Sequence, residues 1–396
     1  MSQFQPIPNS DYGDAANTHL VAQNAVSLST DRITDLLCFS HLRWNFVYQR
    51  PQHLLSRASQ QWRVWFIEEP IYGDTEHVVF QPIHEKLIVI TPHLKHGTSP
   101  DEAVAQQREA LDQLISQYAI QDFIAWYYTP MALTFSEHLH PRVTIYDCMD
   151  ELSAFLGAPA NLLDLEKELL KRANLVFTGG LSLFEAKQHR HPNVFAFPSS
   201  IDFAHFEPAR HDLPMPADLA TVPEPRIGFC GVIDERMNID LLRIVSQRRP
   251  DWQFVMLGPV VKIDPATLPQ SSNIHYLGFK DHKELPTYFS HWDVAIMPFA
   301  INEATRYISP TKTPEYLAAG LPVVSTPIHD VVNTYGDWAT VQIAQSAQQF
   351  EEAIARALTD ENSWEDVDNF LLANSWDTTW MGMNRLIQVQ LALVFQ

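Results

Sequence analysis

A chain of 396 residues, 46% of them hydrophobic and 19% charged, is long enough for two domains of ordinary size and has the balance of a soluble globular protein. Its 27 Lys and Arg against 47 Asp and Glu leave a formal charge of -20, which excludes the broad basic footprint of a nucleic-acid-binding protein but not a local basic pocket for an anion. No apolar run approaches the roughly 18 to 20 residues that span a bilayer. Residues 1–32 read as a loose polar tail without the pattern of a signal peptide. The expected location is therefore cytoplasmic, with peripheral attachment at the inner face of a membrane left open. Cys38, Cys148 and Cys230 have no metal-like spacing and read as buried, reduced thiols; no metal site is expected.

In chain order, Leu36–Ser40 is a short apolar strand, followed by a polar and aromatic loop from His41 to His53 and a helix from about Pro51. Strands follow at Arg63–Ile67 and Leu87–Ile90, a helix at about Asp101–Tyr118, and strands at Phe123–Tyr127 and Val143–Tyr146. Helix and strand go on alternating through Phe197, as in a parallel sheet with both faces covered. This first domain is taken as residues 33–207. Residues 208–225 carry Pro208, Pro214, Pro216, Pro223 and Pro225 and form the linker candidate. A second alternating unit, 226–375, begins with Arg226–Cys230 and Gly231, and residues 376–396 form a terminal helix with Trp380, Met383, Ile387 and Leu391 on one stripe.

The stretch from Ile308 to Ser325 reads as loop, short helix and buried strand. Ser309 and Pro310 suit a helix start, Gly320 a C-terminal stop, and Leu321-Pro-Val-Val a short strand. A helix start exposes free N–H groups that favour an anion, and Lys312 adds a full positive charge there. Glu315, one turn in, can accept hydrogen bonds from paired hydroxyls such as those of a ribose.

The pattern Pro310-x-Lys312-x-x-Glu315-Tyr316-x-Ala318-x-Gly320-x-Pro322-Val323-Val324 resembles the donor-site signature of GT-B glycosyltransferases, close to the retaining group 4 type. The resemblance implies an α/β fold of two Rossmann-like domains facing across a cleft, with the last helix crossing back to the first domain. It also implies that Lys312 meets the donor diphosphate and Glu315 the nucleotide ribose. Phe197-Pro-Ser-Ser-Ile-Asp202 resembles the family's stretch at the end of the first domain, and Ile227–Gly231 with Arg236 its phosphate-binding start of the second. Arg236 can grip two phosphate oxygens. Several positions differ from the family pattern: Ser199 and Ser200 replace a usual Asn-Gly, and the loop His41 to His53 lacks the usual glycines. Val232 stands where a basic residue usually follows the glycine, and Tyr307 where the first donor glutamate is usual.

The donor-binding candidates are Gly231, Arg236, Gly278, Glu303, Arg306, Ser309, Thr311, Lys312 and Glu315. The acceptor-binding candidates are His41, Arg43, Trp44 and Arg50, because aromatic faces suit sugar rings and guanidinium groups suit an anionic acceptor. Asp147 and Asp150 follow a strand and could orient or deprotonate an acceptor hydroxyl, so they join Arg236 and Lys312 as catalytic candidates. The expected activity is transfer of a sugar from a nucleotide-diphosphate donor, of UDP or GDP type, to a glycan or lipid-linked hydroxyl acceptor. Retention of configuration and independence of metal or other cofactor are part of that expectation. A GT-B nucleotide-sugar epimerase and a non-catalytic nucleotide-sugar-binding scaffold are the alternatives, the second motivated by Val232 and Tyr307. Oligomeric state is not legible.

Overall fold

The structure, a computed structural model, describes residues 33–155, 157–303 and 305–395. The first domain is built on a nine-stranded sheet in the order β3-β5-β2-β1-β6-β7-β8-β9, with β4 on the outer side of β5. Its strands are β1 (Asp35–Ser40), β2 (Arg63–Glu68), β3 (Ile71–Gly73), β4 (His77–His84), β5 (Leu87–Lys95), β6 (Phe123–Tyr127), β7 (Val143–Cys148), β8 (Leu175–Thr178) and β9 (Val194–Ala196). All pairs are parallel except β4–β5. β1 is buried along its whole length, as expected of a central parallel strand covered on both faces. β3 and β4 escape sequence reading because their residues are mostly exposed and their apolar positions do not alternate cleanly.

The second domain is a six-stranded parallel sheet in the order β12-β11-β10-β13-β14-β15. It comprises β10 (Arg226–Cys230), β11 (Gln253–Leu257), β12 (Ile274–Gly278), β13 (Val294–Met297), β14 (Val323–Ser325) and β15 (Val341–Ile343). The order reverses between β10 and β13, so the carboxyl ends of β10, β11 and β13 frame a crevice, the usual ligand position in such sheets. The proline-rich segment is not a free tether, since Leu219 and Val222 are buried in the core of the second domain.

The helix Trp376–Val394 returns to the first domain. Trp376, Trp380, Met383, Ile387 and Leu391 share a core with Leu36, Phe66, Trp126 and Phe177, and Arg57 bonds Asp377 at 2.7 Å. The stripe visible in the sequence is therefore the seam between the chain's end and its beginning.

A second contact joins the domains beneath the cleft. Both carboxylate oxygens of Asp330 accept from the first domain, from the N–H groups of Leu181 and Ser182, each at 3.0 Å. A Cβ on Gly180 would lie 2.2 Å from Asp330 Oδ2 and 2.8 Å from Ser309 Cβ, so the absence of a side chain is what admits the second domain this closely. Nothing in the local pattern around Asp330 marks it for this role.

Candidate functional site

The site begins with the helix that carries Lys312. It runs Lys312–Ala318, two residues later than the Ser309-Pro310 signal suggests, with Thr311 as N-cap making no side-chain capping bond. At seven residues it has a short dipole, so the local positive potential comes chiefly from the lysine. The helix is locked to the end of β10 by Tyr316, whose hydroxyl accepts from Cys230 N at 2.7 Å and donates to Cys230 O at 3.2 Å. That pair of bonds sets Lys312 beside the turn after β10.

Two glycines shape the floor. Gly231 follows β10 and Gly258 follows β11. A Cβ on Gly258, whose φ is +135°, would fall 1.9 Å from the Gly231 carbonyl oxygen, so the two turns pack at a distance only glycine permits. Together with Val232, Pro259, Phe279, Lys280, His282 and Lys312 they line a cleft of about 410 Å³ open to solvent, completed by Val47 and Tyr48 from the first domain.

Lys312 Nζ lies 2.6 Å from Glu315 Oε2, with side-chain exposures of 14% and 8%. Burial raises the Glu315 carboxyl above its ordinary value while Lys312 pulls it back. Burial is the largest influence on Lys312 and opposes its charge, but Glu315 and Cys230 together leave the amine raised. In this state the pair is self-satisfied, and a ligand phosphate would have to share the lysine with its carboxylate.

Arg236 is held by Asp234 through three contacts of 2.8 to 3.1 Å. It keeps a partly exposed face and lies 5.6 Å from the ring of Phe155, on the first-domain side, with Lys262 Nζ 5.0 Å from the same ring. Asp150 is pushed up to about 6 by burial, against the pull of Arg236, Arg50 and Lys262. His41 is lowered to about 4, mainly by burial and in small part by Lys262. Thus Asp150, His41, Arg236 and Lys262 form a second group across the same domain boundary.

Other sequence candidates fall elsewhere. Asp147 lies within β7, because that strand continues to Cys148. It is wholly enclosed and paired with Arg50 at 2.8 Å, with exposures of 0% and 3%. Arg50 also donates to Phe197 O at 2.7 Å. This pair is an internal brace, and neither member has a free face for an acceptor. Trp44 is a core residue, packed edge-on against Phe66, and Arg43 is bound to Glu68 at 3.0 Å and to the carbonyl of Pro70 at 3.2 Å. Glu303 and Arg306 pair loosely at 3.8 Å on an exposed loop, with 78% and 62% exposure, and neither borders the cleft. Ser309 accepts at its carbonyl from Ser199 Oγ at 3.1 Å, which makes it part of the domain contact. Gly278 ends β12 with φ +71° and precedes Phe279 on the cleft wall.

Sequence reasoning missed Val47, Lys280 and His282, none of which sits in a motif. Tyr48 was legible only as one of the aromatic residues of the acceptor-side loop, with Trp44 and Phe46, and the structure places it on the cleft beside Lys312.

Residues 224–360 match the family described as glycosyl transferases group 1. The matched stretch carries the whole second sheet. Among curated proteins, TuaH of Bacillus subtilis (strain 168), a glycosyltransferase assigned to teichuronic acid biosynthesis, is 26% identical over 217 residues, covering 51% of this chain and 54% of its own. The chain thus spans about half the length of the curated relative it matches. Sucrose-phosphate synthase from Thermosynechococcus elongatus superimposes with a TM-score of 0.66 at 16% identity, over 91% of this chain and 100% of that one. Anabaena HepE in complex with UDP and glucose gives 0.63 at 12%, over 89% and 98%. WaaG, a glycosyltransferase involved in lipopolysaccharide biosynthesis, gives 0.56 at 13%, over 87% and 94%. The paired Rossmann-like sheets and these superpositions establish the GT-B fold.

Proposed function

We propose that the protein is a glycosyltransferase that moves a sugar from a nucleoside-diphosphate donor to a hydroxyl group of a glycan or lipid-linked acceptor. The observation that carries this reading is the placement of Lys312, paired with Glu315, beside the Gly231 and Gly258 turns, on the wall of a cleft between two Rossmann-like domains. The match of residues 224–360 to the family described as glycosyl transferases group 1 supports it.

In this scheme the bond between the sugar's anomeric carbon and the diphosphate oxygen breaks as the acceptor oxygen attacks. Lys312 and Arg236 stabilise the charge growing on the leaving diphosphate, and Glu315 holds the ribose hydroxyls. With two cations in place the chemistry needs no metal. Asp150 stands on the first-domain side of Arg236, where it can orient an acceptor hydroxyl. Asp147 acts only through Arg50. Retention of configuration, with the leaving phosphate taking the acceptor proton, is the stereochemical outcome we assign. HepE is seen with UDP, which favours a uridine donor. The relatives named for teichuronic acid and lipopolysaccharide favour a cell-envelope glycan acceptor, reached from the cytoplasmic side of a membrane by peripheral contact.

Binding of UDP, GDP and ADP, measured by calorimetry beside Lys312→Ala and Glu315→Ala, tests the donor site. One nucleotide should bind the wild type and lose tenfold or more in each variant. Mass-resolved turnover with the corresponding sugar nucleotide then tests transfer. A folded wild type that binds no nucleotide overturns the reading.

A further inference from the structure

The loop from His41 to Gln49, which leads into the helix Arg50–Ala58 of the first domain, contains no glycine and projects Val47 and Tyr48 into the cleft wall of the second domain. Tyr48 is 39% exposed, an unusual state for a large ring enclosed by neighbours on two sides. Its centroid lies 4.9 Å from that of His282 at an interplanar angle of 30°, and 4.7 Å from that of His53 in an edge-on contact. His282 in turn stacks on His205 at 4.2 Å and 9°, and its backbone carbonyl accepts from His205 Nε2 at 3.0 Å. A column of rings therefore runs from the first domain into the second along one side of the cleft.

Two features of this column are not accounted for by packing alone. Among the described residues, His282 Nε2 is buried without a hydrogen-bond partner, which is costly unless a ligand or water supplies one. Tyr48 borders the same cavity as Lys312, Gly231 and Gly258. An aromatic face held in position, an unmet polar atom and a cation bordering one cavity match the three parts of a nucleoside diphosphate: flat base, hydroxylated ribose and anionic phosphates.

We propose that Tyr48 is a nucleotide-binding residue supplied by the first domain, its ring forming the wall that packs against the nucleoside while Lys312 takes the phosphates and His282 Nε2 takes a nucleoside oxygen. The nucleotide pocket is then a two-domain site, and the nucleotide bridges the domains. This rests on the reading of the cleft as a nucleotide-sugar site and adds a residue that reading does not require.

The test is calorimetric titration of UDP, ADP and GDP into the full chain as wild type, Tyr48→Ala, Tyr48→Phe and Tyr48→Leu, with unfolding temperatures recorded for each. For the nucleotide that binds the wild type, Tyr48→Ala should weaken binding about 5- to 100-fold, the range for truncating an aromatic ring under a base. Tyr48→Phe should stay within about twofold, since the proposed contact is made by the ring face, which phenylalanine keeps. Tyr48→Leu keeps bulk in the loop but lacks the flat face, and should weaken binding about fivefold or more. It stands in for the alanine variant if that one fails to fold. In turnover, the donor KM should rise with kcat little changed. Wild-type binding with unchanged or tighter binding by the alanine or leucine variant overturns this inference alone, and tighter binding would make Tyr48 a plug. No nucleotide binding by the wild type overturns both this and the functional reading.

Discussion

Two cation–carboxylate pairs stand near the cleft, and they behave differently. Arg50–Asp147 is sealed inside the first domain, with exposures of 3% and 0% and a further bond from Arg50 to Phe197 O. Lys312–Glu315 lies at the cavity edge, with 14% and 8% exposure, and Lys312 lines the open space itself. The sequence offers all four as site candidates, Arg50 and Asp147 on the acceptor side and Lys312 and Glu315 on the donor side. The difference teaches that a site pair must retain a face toward solvent through which a ligand can compete, whereas a brace has none.

The sharpest way to break this comparison is to remove one charge from the brace. Asp147→Ala strands a buried guanidinium and should cost about 3–5 kcal/mol in urea unfolding. A loss under about 1 kcal/mol would mean that the pair is not structural. Asp330 is the intermediate case, a buried carboxylate shared between domains. Asp330→Ala leaves the N–H groups of Leu181 and Ser182 without their partner, so a loss of about 1–3 kcal/mol is expected. It should also increase the radius of gyration in small-angle scattering, as the domains separate more freely. Lys312→Ala should cost less stability, about 1–2 kcal/mol, because water entering the cleft can solvate Glu315. Its main effect falls on nucleotide binding. If it destabilised the fold as much as Asp147→Ala does, the distinction between site and brace would collapse.

A separate set of effects concerns pH, through Asp150 and His41. Asp150 has its folded value raised from 3.8 to about 6, so its contribution to stability is present below pH 3.8 and is lost as pH rises through about 6. His41 has its value lowered from 6.5 to about 4, so its contribution is present above pH 6.5 and is lost as pH falls through about 4. The two slopes oppose each other across one window. Relative to wild type, Asp150→Asn should gain unfolding temperature at pH 7 over pH 4, and His41→Gln should gain at pH 4 over pH 7. Parallel curves for wild type and variants would show that neither group titrates as described.

Much of the fold was legible. The apolar runs at Leu36–Ser40, Phe123–Tyr127 and Arg226–Cys230 are long enough and bounded clearly enough to mark central strands, and each is one. The local setting of the donor candidates was legible for a similar reason. Lys312 and Glu315 belong to one short helix, and Gly231 to the turn after β10, each readable from a short contiguous stretch. The first-domain side was not. Arg50 and Trp44 have the residue types of a sugar site, yet one is consumed by Asp147 and the other by Phe66.

By itself, the sequence determined two alternating α/β units, the apolar stripe of the last helix, and the cation and carboxylate beside the glycine turns. These follow from local periodicity, turn chemistry and short-range spacing, which the chain carries wherever it folds. Only the tertiary structure decided that Trp376–Val394 packs on the first domain, that Asp330 grips Leu181 and Ser182, and that Tyr48 meets His282. Those contacts join residues more than a hundred positions apart, and their partners are set by how two sheets approach each other. No pattern within a single segment encodes that approach.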